Sequence, residues 1–136
     1  MHNQLAEGIK AHGYPTHHPP LPSCTNTENA DFSSKTLLDD SEAVKAVITR
    51  LVQNEGKRVV VIMHSYSGLV GSNAVPEDLS FGYRRLHKLP GGRIHLFYFA
   101  AFVLIEKESV FGTFGESPNN DVHVSRIAPS EIDSST

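Results

Sequence analysis

The chain has 136 residues, 39% hydrophobic and 20% charged, which suits one globular domain with a core and excludes a disordered or fibrous protein. Twelve basic and fifteen acidic side chains give a formal charge of −3, and Lys/Arg runs stop at the pairs Lys57-Arg58 and Arg84-Arg85, so no nucleic-acid footprint is present. The longest apolar stretch, Ile94 to Ile105, is broken by His95 and reaches about two-thirds of the ~18 residues of a membrane span. With a lone Cys24 and no basic or apolar leader, the expectation is a cytoplasmic chain without disulfides and without a membrane partner.

In chain order, Leu5, Ala6 and Ile9 predict a helix ending at Gly13. Tyr14 to His18 reads as a short edge strand, because Pro15 lies inside it and Pro19, Pro20 and Pro22 close it. Ser23 to Leu38 is a polar loop. Asp39 then reads as an N-cap with Glu42 completing a capping box. Val44, Val47, Ile48, Leu51 and Val52 follow at amphipathic helical spacing, and Gly56 is placed to end the helix.

Val59 to Met63 is apolar at every position, which predicts a parallel strand covered on both faces. The next residues are His64-Ser65-Tyr66-Ser67-Gly68, then a helical segment to about Val75, stopped by Pro76. A loop from Glu77 to Gly92, with helical turn around Leu79 to Leu86, leads to a second apolar strand, Ile94 to Phe99. A strand–helix–strand unit of this kind binds ligands at the carboxyl ends of its strands, where Ser65 falls. Strand, tight bend with a serine, then helix is the layout of a serine-hydrolase nucleophile elbow, with the Tyr66 backbone N–H directed at a developing oxyanion. The competing reading of Ser65 is an ordinary helix-capping serine.

Other residues carry weaker signals. His64 should project away from Ser65. Asp121 and His123 form a base-like pair that also reads as a polar loop. His12, His17 and His18 lack convergent partners for a metal, and His17 and His18 fall on opposite faces of a strand. Gly91-Gly92 precedes a strand and is therefore a turn, not a phosphate loop. Phe97, Tyr98, Phe99 and Phe102 read as core, and Cys24 as an inert thiol.

Four stretches together resemble the α/β-hydrolase family, in the branch holding plant methylesterases, hydroxynitrile lyases and fungal homologues. They are Ala11-His12-Gly13-Tyr14 to Leu21-Pro22-Ser23, Asp40 to Val52, Val59 to Val75 with His64-Ser65-Tyr66-Ser67-Gly68-Leu69-Val70-Gly71, and Phe97-Tyr98-Phe99-Ala100-Ala101-Phe102. The resemblance implies a partial α/β-hydrolase fold, a short, mostly parallel sheet flanked by helices, over residues 1–123, with an unstructured tail at 124–136. It also implies a small-molecule ester-like substrate, no cofactor and no metal, with Ser65 as nucleophile and Tyr66 N–H as one oxyanion donor.

Two departures stand out. Met63 is bulky where the family has a small residue, while Ser67 is small enough. The family's oxyanion loop would precede Met1, and its acid and histidine would follow the end of this chain, so the expectation is a truncated domain. A strand the family places between Tyr14–His18 and Val59–Met63 would likewise lie upstream. Buried unpaired backbone groups cost about 1–3 kcal/mol each, so the edges must close together, pair with another chain or self-associate. The alternative to a serine hydrolase is thus a non-catalytic remnant, or a module that pairs with another chain.

Overall fold

The structure is a computed structural model that describes residues 2–105, 108 and 112. The chain divides into two units, Met1–Val103 and Leu104–Thr136. In the second unit, the Glu108 N–H closes a turn on the Ile105 carbonyl at 3.0 Å. Asp121, His123 and the expected domain boundary at 123–124 lie outside the described residues.

In the first unit, α1 (His2–Ala11) is followed by Gly13 at φ 86°, as the apolar spacing predicts. The expected strand at Tyr14 to His18 does not form, and residues 14–21 run without regular structure. Its prolines lack the N–H groups a ladder needs, and no described strand lies beside it to pair with. A short 3₁₀ turn at Pro22–Cys24 follows.

Helix α2 (Leu37–Thr49) starts earlier than the sequence suggests. Thr36 is its N-cap, and Asp39 is the third helical residue, accepting from the Thr36 N–H and hydroxyl, both at 2.8 Å. Those two bonds hold the Asp39 carboxyl below the usual carboxylate range. The capping box is therefore Thr36 with Asp39, not Asp39 with Glu42. Beyond α2 the helix widens into a π turn, Arg50–Asn54, and the chain reverses at Gly56, φ 62°.

Strand β1 (Arg58–Ser65) leads into α3 (Ser67–Asn73); a 3₁₀ turn at Glu77–Leu79 and α4 (Phe81–Leu86) lead to β2 (Gly92–Ala101). Ser80 caps α4 by accepting from the Tyr83 N–H at 3.2 Å. The two strands pair in parallel, with Val61 opposite Leu96 and Met63 opposite Tyr98. This is the α/β arrangement anticipated from the apolar runs, a short parallel sheet with helices beside it. Gly91, at φ 73°, makes the turn before β2.

The core lies under one face of the sheet. Ile48, Val52 and Leu79 are buried there, and Val44, Val59, Val61 and Val75 pack on them. Arg84 is also buried; its guanidinium donates to the Pro90 carbonyl at 3.0 and 2.9 Å, fixing α4 to the segment that starts β2. The other face departs from expectation. Val60 (47%), Ile62 (41%) and Phe97 (50%) remain exposed, so among the described residues β1 is covered on one side and Phe97 is not core. Parallel neighbours share a face, and Ile62 opposite Phe97 puts both on this open side.

Candidate active site

β1 ends at Ser65 and α3 begins at Ser67, so strand turns to helix across Tyr66. Ser65 adopts φ 53°, a left-handed conformation that costs an L residue roughly 1–2 kcal/mol. Three local features hold it there. Ser67 Oγ accepts from the His64 N–H at 2.8 Å and donates to the His64 carbonyl at 2.6 Å. The Phe102 N–H donates to the Ser65 carbonyl at 3.1 Å. Gly68 comes so near this segment that a Cβ there would overlap the Phe102 carbonyl oxygen.

The neighbouring strand bends in step. The register shifts between His64 and Ser65, leaving Ala100 as the extra residue, at φ 44°. Two strained residues thus sit side by side where the strands end. Ser65 itself is partly exposed, and among the described residues nothing is hydrogen-bonded to its hydroxyl.

Met63 is buried, and its thioether occupies the space a side chain on Gly71 would need. The bulk that the sequence makes problematic is accommodated by a glycine in α3, while the turn keeps its tight form.

Tyr66 binds the bend to the rest of the unit. Its phenol donates to Asp40 Oδ2 at 2.8 Å. The same carboxylate accepts the Ser23 hydroxyl at 2.6 Å and the Ser23 N–H at 2.8 Å. Asp40 is fully buried in the first turn of α2. Burial, and next the bond to Asp40, push the Tyr66 phenol up to about 12. Sequence reasoning passed over Asp40 and Ser23. The available signal was that Asp40 stands four residues before Val44, at the head of the apolar stripe of α2, where a carboxylate must find donors.

Of the other singled-out residues, Phe102 meets Ser65 through its backbone N–H. The His64 ring lies on Phe99, centroids 4.9 Å apart. His12 Nδ1 is 2.8 Å from the Gly8 carbonyl, and His17 is exposed. Cys24 is exposed, its Sγ 3.5 Å from Ser23 Oγ. Tyr98, on the covered side, shares a 2.9 Å hydrogen bond with Ser72. Among the described residues no three His, Cys, Asp or Glu side chains gather as metal ligands, and no helix is long and apolar enough to cross a membrane.

Among known proteins, the model of the alpha/beta hydrolase family matches residues 2–130. Neither the curated proteins nor the solved structures gave a match. A family match over nearly the whole chain agrees with the parallel strand–helix–strand unit and the bend at its carboxyl end, and the chain belongs to the α/β hydrolase family.

Proposed function

We propose that this chain carries the nucleophile of a serine hydrolase acting on small esters, related to the methylesterase and hydroxynitrile lyase branch. The observation that supports the reading is Ser65 at φ 53°, partly exposed between the end of β1 and the start of α3. Ser65 Oγ bonds to the acyl carbon, the carbonyl electron pair moves onto oxygen, and the Tyr66 N–H stabilises the charge that develops. The hydroxyl proton passes to a general base, the C=O re-forms as the C–O bond to the leaving group breaks, and the base returns the proton so that the alcohol departs. Water then releases the acid. The reaction needs neither metal nor organic cofactor. The test is hydrolysis of 4-nitrophenyl acetate by the whole chain and by Ser65→Ala. The reading expects turnover that Ser65→Ala abolishes; equal rates in the two proteins remove it.

A second reading, a non-catalytic module that pairs with another chain, is favoured by a different observation. The described sheet has two strands, so each has one edge without a strand partner, and Val60, Ile62 and Phe97 are exposed on its open face. Sedimentation velocity over a concentration series tests it. Association weakened by Ile62→Lys supports pairing, whereas a monomer at every concentration rejects self-pairing.

A further inference from the structure

We infer that Asp40 is a positioning residue for the oxyanion donor: from the first turn of α2 it holds the Tyr66 side chain, and through it the Tyr66 backbone N–H, with the Ser23 hydroxyl and N–H also donating to the carboxylate. This rests on the reading of Ser65 as nucleophile and says how its site keeps its shape.

The geometry is specific. One fully buried carboxylate receives hydrogen bonds from two segments remote in sequence, Ser23 in the turn at Pro22–Cys24 and Tyr66 at the bend. Among the described residues, no Lys, Arg or His lies within ion-pair distance of Asp40, so these donors are its compensation. Removing one of them would leave a buried polar group seeking another partner, which disfavours any arrangement in which Tyr66 swings away.

Ser65 is strained at φ 53°, and α3 is a helix of only seven residues. A strained conformation persists only when its surroundings over-determine it. The Phe102 N–H holds the Ser65 carbonyl, and the Ser67 hydroxyl ties the residue after Tyr66 back to the His64 backbone. Tyr66 is anchored through its phenol, 2.8 Å from Asp40 Oδ2. The Tyr66 N–H shares a planar peptide with the Ser65 carbonyl that Phe102 holds, and the phenol–carboxylate bond adds a second anchor on the other side of that peptide, against tilting of the whole unit.

An oxyanion donor acts on the transition state, so the signature of a loosened one is a fall in kcat with little change in KM. The experiment uses the whole chain, 4-nitrophenyl acetate as substrate and a fluorophosphonate as label. Asp40→Asn, Tyr66→Phe and the double variant are compared with Ser72→Ala, a hydroxyl in α3 bonded to the Gly68 carbonyl and to Tyr98.

Tyr66→Phe should lower kcat about threefold to tenfold, and Asp40→Asn about tenfold or more, with KM within about twofold of wild type. The double variant should be no worse than Asp40→Asn alone, because both changes cut one connection. Ser72→Ala should retain wild-type kcat. Tyr66→Phe keeps the ring in place, so the inference stays testable even if Asp40→Asn folds poorly. Wild type labelled at Ser65 together with an unchanged kcat in Tyr66→Phe overturns this inference alone. So do losses that simply add in the double variant. Wild type that takes no label at Ser65 overturns the nucleophile reading, and the positioning role falls with it.

Discussion

Met63 and Gly71 fill one space between them: the Met63 thioether lies where a Cβ on Gly71 would have to be. Gly71 is buried in α3, and Met63 is the buried residue two before the bend. A methyl group added at position 71 must therefore push the thioether aside. Gly71→Ala should lose roughly 1–3 kcal/mol of stability despite its better helix propensity, the ordinary cost of overpacking. Denaturant unfolding of the two proteins measures this, and Met63→Ala in the Gly71→Ala background should recover part of the loss. An unchanged midpoint for Gly71→Ala would show that the thioether has other room.

The strain at the strand ends makes a second prediction. Ser65 at φ 53° and Ala100 at φ 44° both hold conformations that glycine adopts at little cost. Ser65→Gly should be more stable than Ser65→Ala by about 0.5–1 kcal/mol, because both lack the hydroxyl and only glycine relieves the backbone. Ala100→Gly should likewise gain a few tenths to about 1 kcal/mol over wild type. Thermal melts decide this. If Ser65→Ala equals or exceeds Ser65→Gly, the left-handed bend at 65 is not present.

Tyr66 gives a pH dependence with a definite sign. Its phenol is raised from an ordinary value near 10 to about 12, first by burial and second by the bond to Asp40. The folded protein thus keeps a proton that the unfolded chain has already released. This contribution to stability is complete below pH 10 and is lost as pH rises through about 12. Across that window, wild type should lose stability more steeply than Tyr66→Phe. Tyrosinate absorbance should show a late-titrating phenol, and Tyr66→Phe should remove that step. The absence of a late step, or a late step that survives Tyr66→Phe, would contradict it.

Apolar periodicity carried most of what could be read in advance. Val59 to Met63 and Ile94 to Phe99 lie within β1 and β2, and the serine-bearing segment between strand and helix turns sharply at 65. What escaped the sequence depends on neighbours. Whether Tyr14 to His18 makes a strand is decided by a partner edge, and none lies beside it among the described residues. The core status of Phe97 depends on cover over the second sheet face, and the fit of Met63 depends on Gly71, eight positions on. Thr36-x-x-Asp39 and Asp39-x-x-Glu42 both fit a capping box by pattern, so the start of α2, and with it the inward-facing Asp40, is legible only from the folded backbone. Ser23 could be identified only once that carboxylate was placed.

The most direct measurement of the central claim is mass spectrometry of the chain after exposure to a fluorophosphonate, with the modified peptide sequenced. One adduct per chain on Ser65, absent from Ser65→Ala and unaffected by Ser72→Ala, is the predicted result. No adduct, or one spread over several hydroxyls without preference for Ser65, would contradict the claim that this bend presents a reactive serine.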